Sequence, residues 1–108
     1  MSKHYNIVVI GAGTGGIMTA AQIKNKRKDL TIAIVDPADK HYYQPAWTLV
    51  GAGTYDYDKT ARPMSSVIPA GCDWVKDFVT IIDADNNKVA TKDSGELSYD
   101  YLVASPGI

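Results

Sequence analysis

The chain has 108 residues, is 45% hydrophobic and carries a formal net charge of −1 at pH 7, the profile of one small globular domain with a modest core. That charge balance gives no footing for nucleic acid or for an anionic membrane surface, and no apolar stretch approaches the roughly 20 residues that span a bilayer. The single cysteine, Cys72, excludes an internal disulfide, a two-cysteine redox pair and a cysteine-based zinc site; no metal site is expected, and a reducing, cytoplasmic setting is.

The chain enters a strand almost at once, so no signal or transit peptide is expected. Residues 5–10, apolar but for Asn6 and rich in β-branched side chains, have the pattern of a buried parallel strand. Gly11-Ala12-Gly13-Thr14-Gly15-Gly16 follows directly. Residues 14–28 read as a helix, with Ile17, Ala20, Ala21 and the stem of Lys24 at helical spacing. Lys24, Lys26, Arg27 and Lys28 form a solvated helix end where cations complement the dipole. Residues 30–35 are a second strand, Asp36 ends it twenty residues after Gly16, and Pro37 stops it.

Strand, glycine turn, helix, strand and acid, in that order, are what binding a dinucleotide through backbone amides requires. Gly11 permits a tight turn, Gly13 has no Cβ to hold a pyrophosphate off the backbone, and Gly16 permits close packing of helix and strand. The N–H groups at the helix start face the phosphates. Asp36 can accept hydrogen bonds from ribose hydroxyls and would repel a 2′-phosphate, and no arginine stands near it in sequence.

Residues 38–69 are irregular and aromatic, with Tyr42, Tyr43, Trp47, Tyr55 and Tyr57 among Gly and Pro; short helices are expected at 45–50 and 63–68. His4 reads as a solvated flank of the first strand and His41 as a loop hydrogen-bonder. The period then changes to two. Residues 74–75 and 78–82 are strand-like, Asp85-Asn86-Asn87 turns, 88–91 returns, Ser94-Gly95 turns again, and 99–104 form an apolar strand. The chain stops just past that strand, and we expect residues 1–108 to be a truncated segment of a longer protein, with an exposed apolar face around residues 101–103 or Trp47 open to self-association.

A dehydrogenase domain for NAD ordinarily continues with further βαβ units. The inserted loop, the meander and the returning strand instead resemble the FAD domain of the two-dinucleotide-binding flavoprotein disulfide reductases. The second flavin motif of that superfamily, an apolar strand ending Ala-Thr-Gly, is echoed by Tyr99-Asp100-Tyr101-Leu102-Val103-Ala104-Ser105-Pro106-Gly107, with Ser105-Pro106 in place of the threonine. The expected fold is α/β, a Rossmann-like FAD-binding domain with a mainly parallel sheet and an inserted antiparallel β-meander.

A narrower resemblance is carried by Asp36-Pro37, by His41-Tyr42-Tyr43-Gln44-Pro45-Ala46-Trp47-Thr48-Leu49-Val50-Gly51-Ala52-Gly53 and by Arg62-Pro63 with Val67-Ile68-Pro69-Ala70-Gly71. These runs resemble sulfide:quinone oxidoreductase, over essentially the whole chain. The resemblance implies FAD, with Thr14 and Gly15 at the pyrophosphate, Asp36 on the adenosine ribose, Gln44 at a further polar contact, the Val79 backbone at the adenine edge and Gly107 at the second flavin approach. It further implies oxidation of sulfide at two cysteines beside the flavin, transfer of two electrons to a membrane quinone, and membrane contact through a C-terminal part beyond this chain, on the inner face of the cytoplasmic membrane. Cys72 falls where that family needs no cysteine, and Asp73 beside it raises rather than lowers a thiol pKa; no catalytic residue is expected within 1–108. Two other readings stay open: a type II NADH:quinone dehydrogenase or another member of the superfamily, and a non-catalytic nucleotide-binding module.

Overall fold

The computed structural model describes residues 2–42, 51–53 and 61–106. β1 (Ser2–Ile10) runs through the middle of the sheet. Its apolar residues serve two cores: Val8 and Ile10 face one side, Ile7 and Val9 the other. The glycine turn leads into α1 (Thr14–Lys26), which returns the chain to β2 (Ile32–Val35), parallel to β1 with Ile7 opposite Ile32 and Ile10 opposite Val35. All four residues of β2 are buried, as expected of a parallel strand covered on both faces.

α1 stops at Lys26, two residues short of the expected end, with the Arg27 N–H donating to the Ile23 carbonyl at 2.8 Å. Arg27 then forms a two-pronged pair with Asp29, and Lys24 bends back so that Nζ donates to the Leu30 carbonyl at 2.5 Å. The basic cluster is therefore partly tied into the helix–strand connection rather than wholly solvated. Ile17, Ile23 and the buried Ala20 pack on Ile7, Val9, Ile32 and Ile34.

The stretch expected to be irregular holds a small ladder. β3 (Lys40–Tyr42) pairs antiparallel with β4 (Ala61–Pro63), His41 opposite Arg62, and a single turn of helix, α2 (Met64–Val67), follows at once. Three-residue strands of mixed polarity carry no period to read, so only the tertiary pairing defines them. Met64 is fully buried against the α1 side of the sheet. The helix expected at 45–50 lies outside the described residues.

β5 (Asp73–Val75) adds parallel to β2. β6 (Val79–Asp83) and β7 (Lys88–Thr91) form a hairpin whose turn places Asn87 at φ 53°. β8 (Glu96–Ala104) then does two things at once. Its first residues pair antiparallel with β7, and its full length runs parallel to β1. The meander and the returning strand are therefore one sheet, ordered β5-β2-β1-β8-β7-β6, with a single strand shared between its two halves. Val89, Leu97 and Tyr99 close the second core over Tyr5, Val8 and Val35. Tyr101 of β8 is 73% exposed, whereas Val103 packs partly buried on the α1 side. No helix among the described residues is long and apolar enough to cross a membrane.

Asp77, between β5 and β6, is only 4% exposed. Its carboxylate accepts three backbone N–H groups: Phe78 at 2.7 Å, Asp93 at 2.9 Å and Ser94 at 2.7 Å. Burial alone would push this carboxyl up, but the donors from Ser94, Asp93 and Phe78 outweigh it and hold the pKa at about 2, against an ordinary 3.8. The meander turn is thereby pinned to the corner that follows β5. Because the unfolded chain binds this proton more readily than the native one, the contribution is present above about pH 4 and is lost as pH falls towards about 2. Asp77→Asn is expected to be less stable than the parent chain at pH 7, with the gap closing between about pH 4 and pH 2; urea midpoints measured across that range check it.

Candidate dinucleotide-binding site

Four parallel strands end level: Ile10 lies opposite Val35 and Ala104, and Val35 opposite Val75. In open α/β sheets the crevice beyond such carboxyl ends is where ligands bind. Gly11 makes the turn out of β1 with φ 94°. A Cβ there would lie 2.0 Å from the Ser105 carbonyl oxygen, so only glycine fits. A Cβ on Gly16 would likewise lie 2.0 Å from the Gly11 carbonyl oxygen and 3.0 Å from Ser105 Oγ. The Ser105 N–H donates to the Ile10 carbonyl at 2.8 Å and its hydroxyl donates to the same oxygen at 3.1 Å. The Ser105 backbone and side chain thus both tie the second turn to the end of β1.

Gly13 and Gly15 differ from these two. A Cβ on either would meet no heavy atom within 4 Å, and Gly13 has an ordinary φ of −71°. Nothing among the described residues requires glycine at these two positions. Both border space left open by the described residues at the start of α1, whose first turn holds no acid and no side-chain cap, so its N–H groups keep their full pull on an anion. Thr14 Oγ1, between these two glycines in sequence, is buried without a hydrogen-bond partner among the described residues.

Asp36 reaches the turn from the end of β2. Its Oδ2 accepts the Ala12 N–H at 2.8 Å and its Oδ1 accepts the Ala38 N–H at 2.8 Å. Each oxygen keeps acceptor capacity for a hydroxyl. Trp74 Nε1–H donates to the Asp36 carbonyl at 3.0 Å, fixing the strand end behind it. A cavity of about 380 Å³ opens here, lined by Gly11, Asp36, Pro37, Phe78, Val79 and Pro106 among others.

The fold therefore brings together Gly11, Gly13, Thr14, Gly15, Gly16, Asp36 and Val79. Gln44 and Gly107 lie outside the described residues, as do Tyr43, Trp47, Tyr55 and Tyr57. Sequence reasoning missed Asp77, Phe78 and Pro106 as parts of the cavity wall. No local pattern signals them, because the register of β8 on β1 and of β5 on β2 is what carries them to the opening. Cys72 sits at the other end of β5, partly buried in the α1-side core. Burial pushes its thiol up, Lys24 draws it down and Asp73 adds to the rise. The net direction is that of an inert thiol; the basic neighbour absent from the local sequence is supplied across the fold by Lys24.

The open space at Gly13 and Gly15, the partnerless Thr14 hydroxyl and the uncapped start of α1 fit a pyrophosphate, and the acid in the adjoining cavity fits a ribose. These features define a dinucleotide-binding α/β protein. A family model described as pyridine nucleotide-disulphide oxidoreductase matches residues 5–108, and the chain belongs to that family. Its members are FAD-binding flavoproteins with the Rossmann-like fold seen here. The mitochondrial sulfide:quinone oxidoreductase of Dictyostelium discoideum is 47% identical over 103 residues, 94% of this chain and 23% of that protein. That of Mus musculus is 42% identical over 106 residues, 98% of this chain and 24% of that protein. The X-ray structure of the sulfide:quinone oxidoreductase from Aquifex aeolicus matches with a TM-score of 0.78 at 29% identity, over 97% of this chain and 24% of that one. The chain thus spans about a quarter of the length of these relatives.

The two pairs of glycines are separable by substitution. Gly11→Ala is expected to cost at least about 2 kcal/mol, from a strained φ and a backbone clash. Gly13→Ala, at the N-cap of α1 where alanine is disfavoured but with an ordinary φ, is expected to change stability by less than about 1 kcal/mol, while weakening FAD binding. Thermal unfolding and FAD titration of both variants check this division.

Proposed function

We propose that residues 1–108 are the N-terminal FAD-binding segment of a sulfide:quinone oxidoreductase. The observation that carries this reading is the phosphate cradle at Gly13 and Gly15, in a chain 47% identical to one such enzyme. In this reading the N–H groups at Thr14 and Gly15 hold the pyrophosphate, with the Thr14 hydroxyl as a further donor. Asp36 accepts the adenosine ribose hydroxyls while keeping its bond to the Ala12 N–H. The Val79 backbone borders the adenine, and Gln44 and Gly107 complete the contacts. When bound, FAD supplies a two-electron relay between sulfide and quinone.

The sulfide-oxidising cysteines, the quinone site and the membrane contact belong to the rest of the enzyme, which sits peripherally on the inner face of the cytoplasmic membrane. The chain alone does not turn over sulfide. Its exposed Tyr101 face packs against the rest of the enzyme, or against a second copy when the chain is alone.

FAD titration of the purified chain is expected to quench flavin fluorescence, with Asp36→Ala weakening binding by about tenfold. A folded chain that leaves FAD fluorescence unchanged would favour a non-catalytic module, or show that a segment of this length is too short to hold FAD by itself. In the full-length protein, added sulfide is expected to bleach the flavin absorbance; bleaching by NADH and not by sulfide would instead assign a type II NADH:quinone dehydrogenase.

A further inference from the structure

We propose that His41 is a positioning residue for the dinucleotide turn, aiming the Gly13 N–H into the phosphate cleft through a hydrogen bond to the Ala12 carbonyl; this rests on the FAD-binding reading above. His41 lies in β3, 8% exposed, with Nδ1 2.8 Å from the Ala12 carbonyl oxygen. A carbonyl oxygen can only accept, so Nδ1 carries the proton. Among the described residues no peptide bond is cis, and in a planar trans peptide the C=O and the following N–H point in opposite directions. Holding the Ala12 C=O towards His41 therefore turns the Gly13 N–H away from it. Among the described residues no acceptor takes up that N–H.

The peptide on the other side of Ala12 is held as well, because Asp36 Oδ2 accepts the Ala12 N–H. Ala12 itself is fully buried. Both peptide planes flanking the residue between Gly11 and Gly13 are thus set by side chains from β3 and from the end of β2. The turn needs this external hold. Its glycines have the widest conformational freedom of any residues, and among the described residues Gly13 and Gly15 have no packing neighbours at the Cβ position to restrict them. β3 is in turn anchored, by pairing with β4 and by the Met64 N–H donating to the Asp39 carbonyl at 2.7 Å.

The test compares His41→Leu, which keeps bulk and removes the donor, with His41→Asn, whose side-chain amide nitrogen sits where Nδ1 does. His41→Leu is expected to weaken FAD binding by about tenfold while His41→Asn stays within about threefold of the parent chain, with thermal unfolding showing both folded. A folded His41→Leu that binds FAD like the parent, or a folded His41→Asn as weak as the Leu variant, overturns the proposal. A variant-free measurement stands beside these: 15N NMR of the parent chain is expected to show His41 Nδ1 protonated at pH 8, and a neutral ring with its proton on Nε2 alone overturns the proposal even if His41→Leu fails to fold. Absence of FAD binding by the parent chain would count against the proposed function, whereas the tautomer reads on His41 alone.

Discussion

The structure depends on one three-way contact of backbone. The end of β1, the start of α1 and the turn after β8 meet at Gly11, Gly16 and Ser105, so closely that a Cβ on either glycine would lie 2.0 Å from a carbonyl oxygen. That approach lets β8 run in register beside β1 up to Ala104. It also sets the direction in which α1 leaves the sheet. The level strand ends, the opening beyond them and the aim of the helix dipole into it all follow.

Within one six-residue turn the glycines have separate physical roles. Gly11 and Gly16 answer to the protein, because their neighbours exclude a side chain. Gly13 and Gly15 meet no neighbour among the described residues, and their smallness leaves room for a ligand. The polar groups divide in a similar way. Asp77 is consumed by three backbone donors and holds the meander in place. Asp36 has one donor on each oxygen and capacity left over, and the Thr14 hydroxyl has no partner among the described residues. A site for a polar ligand requires some groups that the fold leaves unsatisfied, held by others that it satisfies fully.

Much of this was legible in the chain. The apolar run, the glycine spacing and Asp36 are local signals, and the structure brings them together as that order implies. The meander was legible from its period and its turn residues. The β3–β4 ladder was not, because three-residue strands carry no period, and its partners are some twenty residues apart. The walls of the cavity were equally hidden, since Pro106 and Phe78 reach it only through strand register.

The sequence by itself determined the class: a dinucleotide turn, an acid for the ribose, a meander pointing to FAD, and motifs resembling one family of flavoproteins. These are short-range facts, because turn geometry, helix start and strand period each need only a few adjacent residues. Only the tertiary structure decided that β8 joins the meander to the parallel sheet as one strand, that Asp77 pins it, and that His41 and Asp36 grip Ala12 from opposite sides. Those outcomes depend on which distant backbone groups come within hydrogen-bonding distance, and that is set by the packing of the whole sheet rather than by any local run of residues.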